Sequence, residues 1–177
     1  MKLKKIYIFV EGNDDERFFK SAIAPKLLEK YDDVEIIKYR QWRKEKVNLF
    51  LRSIQTLGFD YIFTADMDFE HSVNKKKQSI QKVYSNADLN QIEIVIIEIE
   101  SWYMAGLSDN AARKMKMSAI KNTDLMTKED FNDIFHRKYR SRIDFMHEIL
   151  KVYDIETASI KNKSFRYFAG KYFAVES

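Results

Sequence analysis

Cysteine is absent from this chain, which excludes disulfides and thiolate metal sites. The absence fits a reducing compartment, and the expected location is cytoplasmic. Proline occurs once and glycine four times in 177 residues. That scarcity favours regular elements over long loops. No apolar run approaches the roughly 20 residues that a membrane-spanning helix needs. The basic start, Met1-Lys2-Leu3-Lys4-Lys5, precedes only a short apolar run with no small-residue cleavage site, so no signal peptide is expected. What is present is a globular composition, 45% hydrophobic and 14% aromatic, enough to build a core. The length suits one domain, or one domain with an extension.

The net charge is +4 and is unevenly spread. Residues 1–110 hold 17 Lys+Arg against 18 Asp+Glu, giving −1, and residues 111–177 hold 14 against 9, giving +5. An acid-bearing front and a basic tail suit a metal site and a polyanion respectively. The plainer reading is ordinary solvated surface.

Apolar and β-branched runs at Lys4–Glu11, Val34–Tyr39, Asp60–Asp66 and Ile92–Ile99 read as strands buried in a parallel sheet. Helical spacing predicts helices over about 14–31, 43–57 and 74–84, the first kinked or split at Pro25 and the second closed by Gly58. From Ser101 onward the pattern turns helical, with Trp102, Tyr103 and Leu107 near one face, and it stays so over 111–117, 128–136, 142–153 and 164–173. The expected fold is therefore α/β, with a four-stranded parallel sheet flanked by helices over 1–108. A helical extension over 109–177 packs on it.

Three of the four strands end in acid. The first stops at Glu11, with Gly12 for the turn and Asp15 in the first helical turn. The third ends at Asp66-Met67-Asp68, and the fourth at Glu98-Ile99-Glu100. Parallel strands bring these ends to one edge, where open α/β sheets bind ligands. For Glu11 to reach Asp66 the first and third strands must be neighbours, which favours the order 2-1-3-4. Two like charges ~4 Å apart cost about 4 kcal/mol at an effective dielectric of ~20, so such a cluster calls for cations. Mg2+ takes oxygen ligands and often binds through one or two carboxylates plus substrate phosphates. Asp-x-Asp suits it, because residues i and i+2 of an extended segment share a face. Any one of these acids alone is more often a cap or a surface charge.

Glu11-Gly12-Asn13-Asp14-Asp15 resembles the Glu-Gly-x-x-Asp start of TOPRIM domains, and Asp66-Met67-Asp68 resembles their Asp-x-Asp motif. Ile97-Glu98-Ile99-Glu100-Ser101-Trp102 is similar to the Glu-x-Trp block of small stand-alone TOPRIM-like proteins of the DUF4276 type. These are related to the overcoming-lysogenization-defect (OLD) nucleases. Lys163-Ser164-Phe165-Arg166-Tyr167-Phe168 is similar to the Ser-Phe-Arg-x-Phe segment of the same group. The resemblance covers nearly the whole chain and implies a TOPRIM-like, Rossmann-like sheet.

It also implies a divalent-metal phosphodiester nuclease using Mg2+ or Mn2+, with two ions and a role in phage defence or DNA processing. Glu11, Asp66 and Asp68 match the shared metal motif, and Asp15 matches a second acid of the OLD type. Glu100 matches the acid before tryptophan, with Glu98 as its alternative. Lys163 and Lys171 are the two candidates for a catalytic lysine. Arg43, Lys44, Lys163, Arg166 and Lys171 are the expected nucleic-acid contacts, DNA ahead of RNA. Trp42-Arg43-Lys44 mixes aromatic and basic groups as single-strand binders do, although such a segment is more often a helix start with solvated charges. Lys75-Lys76-Lys77 could line the edge after the third strand, but a solvated helix face is the more ordinary reading. The alternative is a non-catalytic module that binds nucleic acid or an ATPase. The chain has no Gly-x-x-x-x-Gly-Lys loop, so that ATPase would be a separate protein. A phosphatase of the haloacid-dehalogenase type ranks lower, since its Asp-x-Asp follows the first strand.

Overall fold

In the computed structural model, which describes residues 3–68, 70–134 and 139–173, the four apolar runs form one all-parallel sheet. Its strands are Lys5–Val10 (β1), Asp33–Lys38 (β2), Asp60–Asp66 (β3) and Ile92–Val95 (β4), in the order β2-β1-β3-β4. This is the order expected from the acid-ended strands. β1 pairs with β2 from Lys5↔Asp33 to Val10↔Lys38, and with β3 from Ile6↔Asp60 to Phe9↔Phe63. The central strands β1 and β3 are buried along almost their whole length, as strands covered on both faces must be. The edge strand β2 keeps most of its residues partly or fully exposed.

The chain divides into two compact units, Met1–Ile94 and Val95–Ser177. The sequence pattern puts the boundary later, at 108/109. With the division at Ile94, the first unit holds 17 Lys+Arg against 15 Asp+Glu and the second 14 against 12, so each is +2. The contrast between an acidic front and a basic tail is therefore not a contrast between the units.

In the first unit the helix after β1 is not continuous. Asn13–Phe18 (α1) passes into a π-helical stretch, Phe19–Ile23, and then into Ala24–Leu27 (α2). Pro25 lies in the first turn of α2, where its missing N–H costs nothing. The wide π turn is how the chain absorbs that proline without breaking. Lys44–Leu57 (α3) buries Val47, Leu51 and Ile54, and Gly58 closes it at φ 67°, the left-handed conformation glycine adopts without strain. Val73–Val83 (α4) is polar along most of its length and buries Ile80.

The second unit is helical: Ile99–Ala105 (α5), Asp109–Lys114 (α6), Lys128–Ile134 (α7), Arg142–Lys151 (α8), Ile155–Lys161 (α9) and Lys163–Tyr172 (α10). The expected end of α7 at His136 lies outside the described residues. Every residue of α5 is buried, and α7, α8 and α9 pack on it. A polar network fixes this core. The Trp102 indole donates to Ser164 Oγ at 2.8 Å, Ser164 Oγ donates to Asn162 Oδ1 at 2.8 Å, and the Asn162 amide donates to Thr123 Oγ1 at 3.1 Å. Gly106 allows Tyr153 to lie close over the end of α5: a Cβ there would collide with the ring. The Tyr153 hydroxyl donates to the Trp102 carbonyl at 3.0 Å. Among the described residues no helix is long and apolar enough to cross a membrane.

Candidate functional site

The carboxyl edge of the sheet in the first unit is built by β1, β2 and β3 ending side by side. Thr64 Oγ1 donates to the Phe9 carbonyl at 2.8 Å and ties the last turns of β1 and β3 together. Glu11 follows directly on β1, Tyr39 and Arg40 follow on β2, and Asp66 is the last residue of β3. Parallel pairing therefore puts Glu11 and Asp66 at the same edge. Asp68 stands two residues further on at φ 50°, a conformation aspartate tolerates better than most residues.

Each acid has its own setting. Glu11 is 13% exposed; Arg40 meets its Oε2 at 2.6 Å and the Tyr39 hydroxyl donates to its Oε1 at 3.1 Å. Burial, and then the Glu11 charge, push the Tyr39 phenol far above its ordinary range, so it stays a donor. Burial works against the Arg40 charge, but Glu11 outweighs it and holds the guanidinium more firmly protonated. Asp68 Oδ2 receives the Lys76 ammonium at 2.5 Å. Asp66 is half-buried, and its Oδ1 is shut off from solvent. Asp15 is buried and accepts the Gly12 N–H at 3.1 Å, which closes the first turn of α1.

Beside this edge lies a cavity of about 440 Å³, lined by Glu11, Tyr39, Arg40, Lys76 and Tyr84 among others. Arg40 and Tyr84 were not among the residues singled out from the sequence, and Lys76 belongs to the Lys75-Lys76-Lys77 run, for which lining this edge ranked behind a solvated helix face. The signal available for Arg40 was position: it follows the β2 end by two residues.

Where the chain passes from the first unit into the second, the structure corrects the expected fourth strand. It stops at Val95 rather than Ile99. Ile97 turns the chain at φ 66°, strained for a β-branched residue, and Glu98 becomes the residue before α5. Glu98 and Glu100 therefore lie at a helix start and share no strand face. Glu98 Oε2 accepts the Lys128 N–H at 2.6 Å. Glu100 is 5% exposed at its side chain and pairs with Arg142, which also donates to Asn132 Oδ1 at 3.1 Å. Burial raises the Glu100 carboxyl above its ordinary value, and Arg142 only partly offsets this.

The expected basic contacts fall apart into different environments. Arg43 and Lys44 are exposed at the start of α3, beside half-buried Trp42, whose ring carries the Lys46 ammonium at 3.9 Å. Arg166 donates to the Ser159 and Ile160 carbonyls at 2.7 and 3.2 Å, so it caps α9. Lys163 is 80% exposed, 3.7 Å from Asp124. Lys171 is exposed, with its ammonium 5.1 Å from the Tyr172 ring.

Oxygen donors of this kind suit a hard divalent cation. As the side chains stand, however, Glu11 faces Arg40 and Asp68 faces Lys76. Among the described residues no three His, Asp or Glu are grouped to hold a metal ion. The donor set fits by chemistry and position in the sheet, and a cation would have to displace both basic partners. No protein-family model matches this chain, and neither does any curated protein or any solved structure.

Proposed function

We propose that the chain is a divalent-metal-dependent phosphodiesterase acting on nucleic acid, with its centre at the carboxyl edge of β1 and β3. The observation that carries this reading is that Glu11 and Asp66 end neighbouring parallel strands, with Asp68 two residues on. Glu11, Asp66 and Asp68 are the residues that would hold Mg2+ or Mn2+. Such an ion supplies an activated water and neutralises charge on the phosphodiester. The chain itself contributes the rigid strand ends, and Arg40 and Lys76 as cations for substrate phosphate. The resemblance of Glu11–Asp15 and Asp66–Asp68 to TOPRIM motifs supports the same reading, with DNA as the polymer. Asp15, whose carboxylate caps α1, is assigned to holding the Gly12 turn.

A second reading has one observation in its favour. Arg40 and Lys76 already neutralise two of the acids, which suits a non-catalytic module that binds nucleic acid or a separate ATPase. Cleavage assays on single-stranded, duplex and supercoiled DNA with Mg2+ and with Mn2+ separate the two. The wild-type protein is expected to cut with at least one metal, and Asp66→Asn to cut none. Absence of wild-type cleavage on every substrate gives the module reading its place.

A further inference from the structure

We propose that the cavity beside the sheet edge receives one unstacked nucleotide unit, its phosphate drawn to Arg40 and Lys76 and its base laid against Tyr84. The substrate is then a single strand or a frayed end, and not a paired duplex. The inference rests on the phosphodiesterase reading of this edge and adds the form of the polymer to it.

Size comes first. The cavity is open to solvent, and its volume of about 440 Å³ is comparable with that of pockets that take small molecules. It can take one nucleotide, while a base still paired and stacked in a duplex cannot be drawn into it without being flipped out. The chemistry of the walls matches the two halves of a nucleotide. Ala65, Ile80, Val83 and the Tyr84 ring give an apolar side, and Arg40 and Lys76 give the cationic side. Tyr84 is held in place before any ligand arrives: its ring lies 5.3 Å from Tyr39 and 5.2 Å from Phe63, and those two lie 4.4 Å apart. A prebuilt aromatic wall of this kind is what stacking on a base requires. Tyr84 remains half-exposed, whereas Tyr39 beneath it is buried. Arg40 is 56% exposed and has room to turn from Glu11 towards a phosphate.

Charge adds a condition. Among the lining groups Arg40 and Lys76 are opposed by Glu11 and Glu70, so the cavity offers no net positive charge. Phosphate affinity must then rise when a divalent cation occupies the acids and releases the two basic groups. By linkage, phosphate raises cation affinity by the same factor.

The test is binding, read by calorimetry and by polarisation of a labelled strand, with Mn2+ and with EDTA. The probes are a short single strand with cleavage-resistant phosphorothioate linkages, the same sequence and linkages as a blunt duplex, thymidine monophosphate and inorganic phosphate. With Mn2+ the single strand is expected to bind about tenfold or more tightly than the duplex. Thymidine monophosphate should bind about tenfold more tightly than phosphate, towards the lower end of what base–aromatic stacking supplies. Tyr84→Leu should close the second gap and Tyr84→Phe should keep it. Lys76→Gln, and Arg40→Gln next to Tyr39 of the aromatic cluster, should weaken phosphate and thymidine monophosphate alike and reduce the effect of Mn2+. Equal binding of duplex and strand, or a gap that survives Tyr84→Leu, would overturn the inference. Monophosphate bound as tightly as the strand would overturn the polymer and leave a free nucleotide. Strand binding through Tyr84 without any cleavage removes the phosphodiesterase and leaves the cavity assignment. Duplex cleavage indifferent to Tyr84→Leu does the reverse.

Discussion

Glu11 with Arg40 in the first unit, and Glu100 with Arg142 in the second, are the same two chemical groups in two settings. Arg40 is 56% exposed over a carboxylate that is 13% exposed and borders a cavity, whereas Arg142 is 23% exposed over a carboxylate that is 5% exposed. An ion pair open to water is worth little, because water and salt compete for both partners. That weakness is an advantage where the partners must be exchanged for ligand. A buried pair cannot be exchanged cheaply, because either ion alone would be stranded in a low-dielectric interior. The comparison separates the acids that can serve chemistry from those that serve the fold, although both sets looked alike as residues at strand ends.

The largest expected effect breaks the buried pair. Arg142→Met should cost about 3–5 kcal/mol of stability at neutral pH, the usual loss when one buried partner is removed. Urea denaturation measures it, and a loss as large for Arg40→Met would erase the distinction between the pairs. A smaller effect concerns pH. The native Glu100 carboxyl holds its proton more tightly than the unfolded one, since burial raises it above its ordinary 4.5. Its contribution to stability is present in full below about pH 4.5 and is lost as pH rises through the raised value. Urea midpoints taken upwards from pH 4.5 should therefore fall less in Glu100→Gln than in wild type. Parallel slopes would mean that Arg142 fully compensates the buried charge. The smallest effect is at the open pair: Arg40→Met should change stability by no more than about 1 kcal/mol, while its binding of strand falls.

The sheet was legible because each strand is a continuous apolar run and three of the four end in acid. Neighbouring β1 and β3 followed from asking which strands could bring Glu11 and Asp66 together. The fourth strand was read too long for a physical reason. Ile96, Ile97 and Ile99 continue the β-branched run, but burying α5 on the helices around it requires the chain to turn at Ile97. Tertiary packing overrode local propensity there. Helix α9 went unread because it is seven residues long, although Asp154, which accepts the Thr157 N–H at 2.7 Å, was its start signal. The acids of the candidate site could be seen in the sequence; of their cations Arg40 could not, and Lys76 only as one of a lysine run that reads first as a solvated helix face. Arg40 meets Glu11 across a strand pair that only the fold creates, and Lys76 reaches Asp68 from the next helix. Arg166 was read as a phosphate contact, and its guanidinium is spent on the carbonyls that end α9.

The chain holds two tryptophans, and the division at Ile94 leaves one in each unit. Trp102 is sealed at 1% exposure with its indole N–H bound to Ser164, while Trp42 is half-buried beneath an ammonium group. Two such surroundings give different emission colours, short-wavelength for the dry indole and longer for the wet one. The Lys46 ammonium over the Trp42 ring, with Arg43 and Lys44 outnumbering Glu45 in the adjoining sequence, favours the approach of an anionic quencher such as iodide, and sealed Trp102 is screened from it. The molecule therefore carries an optical label on each of its two parts, and replacing either indole by phenylalanine leaves the other as a reporter of its own unit.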